Sequence, residues 1–429
     1  MTLLKNIKDE KSKKRIILYS MLISMVLSYL PWYNFSAVSS YISSDLGFTV
    51  NQTSIILSAF QVGYVIVVLF TGWLADKIGA KKVVAWATLF TAIFSTMFVW
   101  LAKDFRSVLI LRLLTGLSAG AIYVPGMSLL SKWFGPNERG KVLGAYTGAM
   151  TLAYAGGYFV AAPIAAATHW RYGILWTSLP AFIAAFIVFF VIEGSPDSYN
   201  SVTTLEANPT VTANTKTKKL GPALIIIGYM GHMWELYAFW GWIGPFMVAC
   251  SIAVGYPQSE AVELGGRLAA FIILLGVPSS WIAGAIADKW GRVKTILLCS
   301  IFSLIVQFFL GDLYGKSLNI VMLVGLWIGF WVVADSAIYK AELTAMVPDS
   351  IRATVLGIQS ALGYTVTIFS TYIFGRILES VNLGIVDTSL ATNWNPPFII
   401  LGLGALIAPI SSLILLITEK KEKKIQSHS

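Results

Sequence analysis

Apolar residues fall into runs at roughly 16–38, 53–75, 83–101, 107–131, 142–165 and 172–192, and again at 222–250, 264–285, 293–311, 319–346, 353–377 and 397–418. Each is long enough to cross a bilayer core, which takes about 20 residues of helix. Inside lipid such a run must be helical, because every backbone N–H and C=O needs a partner within its own segment. The pattern predicts an all-α integral membrane protein with 12 transmembrane helices in two six-helix bundles. Some runs exceed what a bilayer needs, which permits tilt or kinking. Between the sixth and seventh runs lies a polar stretch, 199-YNSVTTLEANPTVTANTKTKK-219. It divides the chain into a tail (1–15), a first bundle (16–192), a linker (193–220), a second bundle (221–418) and a tail (419–429).

Composition removes the other classes. Of 429 residues, 56% are hydrophobic and 12% charged, against roughly 25% charged in a typical soluble domain. A soluble globule has too much surface to hide 15 Trp, 24 Phe and 18 Tyr, and a disordered chain lacks them. The net charge of +10 raises the question of nucleic acid, and its placement answers it. The side shared by the two tails carries 23 of the 31 lysines and arginines. The opposite side has only Lys103, Arg106, Arg171, Arg267, Lys316 and Arg376. This asymmetry is a topology signal. It puts both termini in the cytoplasm of a multi-pass plasma-membrane protein with no nucleic-acid partner. Cys250 and Cys299 lie in apolar runs and read as core residues. The basic start, 5-KNIKDEKSKKR-15, leads into a span too long for a signal-peptide core, so no cleavable signal is expected.

The two halves repeat each other. After the second span comes 72-GWLADKIGAKK-82, and after the eighth 284-GAIADKWGRVK-294. Gly72, Asp76, Lys77 and Gly79 match Gly284, Asp288, Lys289 and Gly291, with Arg292 at a following basic position. A second pair, 136-PNERGKVLG-144 and 348-PDSIRATVLG-357, places Arg139 and Arg352 each five residues before the Gly of a shared Val-Leu-Gly. A six-span duplication marks secondary transporters. The loop motif, present in both halves, resembles the signature of the major facilitator superfamily, and the resemblance covers residues 16–418. The stretch 131-SKWFGPNERGKVLG-144 looks most like the anion-importing branches, with Gly135 as a departure. The resemblance implies two pseudo-symmetric bundles rocking about a central site lined by spans 1, 4, 7 and 10, no cofactor, and a monomer. On this reading Asp76, ending span 2, meets the N-terminus of a helix from the other half, whose dipole favours an anion, and latches the outward-open state.

Ionisable residues at membrane depth are costly and mark functional sites. Arg112 stands in Arg-x-x-x-Gly-x-x-x-Gly with Gly116 and Gly120, and the resemblance links it to proton coupling or to an anionic ligand. In span 7, His232 and Glu235 share a face continued by Phe239 and Trp242, which suits a water-filled, aromatic-lined cavity. Asp335, mid-span 10, is a second proton candidate. Lys340 and Glu342 read as members of a cytoplasmic salt-bridge gate. Tyr33, Asn34 and Gln359 are neutral polar candidates for the substrate site.

These features point to a secondary transporter moving a small organic or inorganic anion by proton-coupled alternating access. The alternative is a proton-coupled efflux antiporter for amphiphilic compounds, suited to an aromatic interior with acidic Glu235 and Asp335. A transport-dead receptor has no appended soluble domain to support it. Enzymatic chemistry is not expected: no phosphate-cradling loop is visible, and three histidines and two cysteines offer no metal-ligand cluster.

Overall fold

The computed structural model describes residues 9–194, 220–385 and 387–426. Most of the expected linker, and the ends of both tails, lie outside the described residues. Among those described, the chain is all helical, with 12 helices long and apolar enough to cross a membrane. We label them α1 (Glu10–Ala37), α2 (Val50–Ile78), α3 (Ala80–Leu101), α4 (Phe105–Trp133), α5 (Glu138–Ala167) and α6 (Trp170–Phe190). After the linker come α7 (Leu220–Ala253), α8 (Gln258–Trp290), α9 (Arg292–Leu313), α10 (Leu318–Met346), α11 (Thr354–Val381) and α12 (Asn395–Lys420).

Local chemistry explains where the helices start. Asp9 precedes α1 and accepts from the backbone N–H of Lys11 and Ser12, serving donors that the first helical turn cannot satisfy internally. Bonds from the Ser12 hydroxyl and N–H hold its carboxyl below the usual range. Asp104 and Ser107 form a reciprocal capping box at the start of α4. The two loop motifs turn on Gly79 and Gly291, at φ of 92° and 96°, a conformation other residues enter only with strain. Arg139 Nη2 donates to the Ser131 carbonyl (2.9 Å) and Arg352 Nε to that of Thr344 (3.2 Å). Each arginine reaches back to a carbonyl near the end of the preceding helix. The duplication thus survives as matching geometry.

Several helices are interrupted. α1 breaks at Leu30, before Pro31, which has no N–H to donate. α4 breaks at Gly120–Ile122 and α10 at Asp335, corresponding places in the two halves. Paired discontinuities of this kind accompany binding sites in transporters built from repeats.

The described residues form two compact units. One holds α1, the larger part of α2, and α3 to α6; the other holds Ser39–Ser58 and everything after the linker. The short helix Ser39–Leu46 and the first residues of α2 therefore pack with the second unit. Ser58 Oγ donates to the Ile368 carbonyl (3.1 Å), and Gly375 leaves room for Ser54 and the Trp242 ring. In the first unit, the glycines after Arg112 serve packing. A Cβ at Gly116 would overlap the Phe60 backbone, and one at Gly120 the Tyr64 backbone, so α4 and α2 touch main chain to main chain. Gly72 and Gly284 face open space, so close approach is not what these motif glycines provide in this state.

This contrast makes a prediction. Gly116→Leu is expected to destabilise the protein by about 3 kcal/mol or more through overpacking, visible as a lower melting temperature in detergent, while Gly72→Leu leaves it unchanged. Equal melting temperatures for the two variants would contradict the packing role of Gly116.

Candidate functional site

Each unit buries its own polar centre. In the first, Arg112 on α4 is 4% exposed. Its Nη1 donates to the Pro31 carbonyl (3.1 Å) and its Nη2 to that of Trp32 (3.0 Å), just past the break in α1. The guanidinium lies over the Phe60 ring, 4.5 Å from its centroid, and near that of Phe35 at 5.4 Å, a favourable placement for a cation. Among the described residues no carboxylate pairs with it, and its Nε has no partner. Asn34 and Arg112 line the same small cavity, with Ser95 and Thr115, of about 10 Å³. That is room for one water.

Asn34 is held by its bond to Thr177 Oγ1 (2.9 Å). Tyr33 packs edge-on to Tyr154 and stacks with Tyr158. Trp32 sits among Phe60, Tyr64 and Tyr154, with centroids 4.7–4.9 Å apart. Tyr29 closes the arrangement by donating to the Ala119 carbonyl, at the break in α4 (2.9 Å).

In the second unit, α7 is the central element, its membrane segment almost wholly buried. Bare glycine backbone makes that possible: a Cβ at Gly231 would press on Ala408 of α12, and one at Gly228 on Ser411 and Tyr339. His232 and Glu235, 3% and 4% exposed, point among the neighbouring helices of their own unit. His232 Nδ1 lies 2.9 Å from Asp335 Oδ1, and its Nε2 lies 2.7 Å from Ser336 Oγ. Asp335 and Ser336 thus flank the two ring nitrogens of His232. Glu235 accepts from Ser303 of α9 at 2.5 Å. Tyr229 and Tyr339 flank the imidazole at 5.8 and 5.7 Å.

The break in α10 explains how Asp335 reaches His232. Asp335 is the hinge residue between Leu318–Ala334 and Ser336–Met346, so its side chain and that of Ser336 leave the helix together and bracket one imidazole. Gln359 on α11 is fully buried, and neither atom of its amide has a partner among the described residues.

The loop residues behave differently. Asp76, Lys77, Asp288 and Lys289 are exposed, with Lys77 over the Trp73 ring. Arg292 pairs with Glu342 at 3.7 Å, and Lys340 is half-buried nearby in sequence. Sequence reasoning missed Ser303, Ser336 and Gln307. The available signal was a polar residue inside an apolar run, at helical spacing from others of its kind.

The geometry fits the comparisons with known proteins. The Major Facilitator Superfamily model matches residues 21–334. The chain belongs to that superfamily, whose members are membrane transporters and not enzymes. A hexuronate transporter of Bacillus subtilis is 24% identical over 387 residues, covering 86% of this chain and 89% of the relative. A probable sulfoacetate transporter of Cupriavidus necator is 22% identical over 294 residues, 66% of each. Among solved structures, a bacterial homologue of the human lysosomal transporter Spinster, inward-facing and occupied, superimposes with a TM-score of 0.75. It is 14% identical and covers 94% of this chain and 96% of that one, a likeness of fold alone.

The buried contact between Asp335 and His232 generates a prediction. His232→Leu strands the Asp335 carboxylate and is expected to cost about 3–5 kcal/mol. The double variant His232→Leu/Asp335→Leu removes both partners and recovers most of that loss. Thermal unfolding of the purified variants checks the order; a double variant no more stable than the single one would contradict the pairing.

Proposed function

We propose that this protein imports small organic anions of the sugar-acid or sulfonate type, driven by protons, through alternating access in the plasma membrane with both termini cytoplasmic. The observation that carries the reading is the Arg112 guanidinium, buried, ringed by aromatic faces and held by main-chain carbonyls instead of a carboxylate. Carbonyl dipoles orient the guanidinium but leave its charge whole. A substrate carboxylate or sulfonate supplies the missing anion through a charge-assisted, two-pronged bond. The aromatic rings about Trp32 offer apolar walls, and Asn34 and Tyr33 offer amide and hydroxyl partners to a polyhydroxylated substrate.

Glu235 and the Asp335–His232 pair are the proton sites. They lie within the second unit, so the proton and the anion occupy different places and are coupled through the rearrangement of the protein. The exposed Asp76 and Asp288 serve as latch residues in another state of the cycle, with Gly72, Gly79, Gly284 and Gly291 shaping their loops. Arg139 and Arg352 brace the neighbouring helix ends, and Arg292, Lys340 and Glu342 form the cytoplasmic gate. Relatives named for hexuronate and sulfoacetate support an acidic substrate. The efflux alternative draws on the same aromatic walls, but it leaves the Arg112 charge without a use.

Uptake of labelled D-glucuronate, a hexuronate, into proteoliposomes tests the reading. Arg112→Ala is expected to weaken transport roughly 10- to 100-fold, the value of one charged hydrogen-bonding partner. Glu235→Gln is expected to abolish accumulation against a gradient while leaving counterflow exchange. If Arg112→Ala transports D-glucuronate like the parent, or if only lipophilic cations move, the anion reading fails.

A further inference from the structure

We propose that Ser303 and Gln307 form one limb of a proton path that runs inside the second unit, along α9, and serves Glu235. The inference rests on Glu235 being the proton site proposed above.

Three observations carry it. Cys299, Ser303 and Gln307 recur every fourth residue of an otherwise apolar helix, and all three are buried, at 0%, 1% and 0% exposure. That spacing sets them on one stripe, about 6 Å apart along the axis. Ser303, in the middle, donates to Glu235. Gln307 stands one turn further on, and neither its amide oxygen nor its amide nitrogen has a partner among the described residues. An unserved amide at membrane depth is costly, and water is the ordinary partner of a buried polar group that the protein leaves unmatched.

The stripe leads to a surface. Beyond Gln307, α9 ends in the turn Gly311–Leu313, where the exposed Asp312 accepts from the Asn395 amide of α12. The bare backbone of Gly311 lets Asn395 pack against it. On the orientation proposed above this is the outer end of the helix, where an importer collects protons. The polar groups thus run from Asp312 through Gln307 and Ser303 to Glu235, with Asp335, His232 and Ser336 also in this unit.

The chemistry is proton transfer alone. A water held by Gln307 gives a proton to the Ser303 hydroxyl oxygen as that hydroxyl gives its own to the Glu235 carboxylate. The water is replenished with a proton from the outer side, and no other bond changes. The other titratable groups of the cluster are His232 on α7, Asp335 and Tyr339 on α10, and Cys299 on α9. None stands between Ser303 and Gln307 on the stripe.

The test needs no substrate. In purified full-length protein at acidic pH, the carboxylic C=O stretch of Glu235, assigned by its loss in Glu235→Gln, is followed by infrared spectroscopy after a jump into D2O. Gln307→Leu is expected to slow its exchange about tenfold or more, the effect of one lost hydrogen-bonding partner, with Gln307→Asn between the two. Ser303→Ala is expected to slow it as well, and Ser303→Thr to restore it. Exchange at the parent rate in both Gln307→Leu and Ser303→Ala overturns the path while leaving Glu235 as the proton site. A spectrum in which Glu235→Gln removes no carboxylic band at any pH overturns both.

Discussion

Charge buried out of reach of water is the constraint on which the rest of this structure depends. A membrane helix has no cheap way to carry an arginine, a glutamate or an aspartate, and those present must be served by other parts of the fold. Arg112 is served by the carbonyls of Pro31 and Trp32 and by two aromatic faces. Asp335 is served by His232, and Glu235 by Ser303. The breaks in α1 and α10 fall at these residues, and the glycines of α4 and α7 bring the partner helices close enough to reach them. Irregular backbone and bare glycine are the means by which ionisable groups are kept at depth.

The two units answer the constraint in different ways. The first leaves a cation whose charge no acidic side chain of the described residues cancels. The second sets one carboxylate against an imidazole and supplies hydroxyls to that imidazole and to a second carboxylate. That division is the basis of the proposed anion-binding and proton-binding halves. A binding event that stabilises one arrangement of a protein changes the affinity of its other site by the same free energy.

Much of this was legible in the sequence. The spans were, because twenty apolar residues in lipid have one solution; the described helices coincide with all of the expected runs. Their ends and interruptions were not. The run 16–38 begins as a helix at Glu10, capped by Asp9, and breaks at Leu30, while the run 107–131 breaks at Gly120–Ile122. Hydropathy reports burial and is blind to caps and hinges. The pairing of His232 with Glu235 on one face was visible from a spacing of three. Their actual partners, Ser303 and Ser336, were not, because they come from helices distant in sequence. For the same reason the sequence suggested an aromatic-lined cavity around Glu235, whereas the side chain lies against α9. The glycines of the loop motifs divided in an informative way: positive φ explains Gly79 and Gly291, and nothing packs on Gly72 or Gly284 in this state.

The claim that an anion taken up beside Arg112 is linked to protonation inside the second unit is tested most directly by counting protons as the anion binds. Calorimetric titration of D-glucuronate into purified protein, repeated in buffers of different ionisation enthalpy, yields that count through linkage. The account predicts uptake of about one proton per anion near neutral pH, abolished in Glu235→Gln while binding persists. Tight binding with no proton taken up by the parent protein would contradict it.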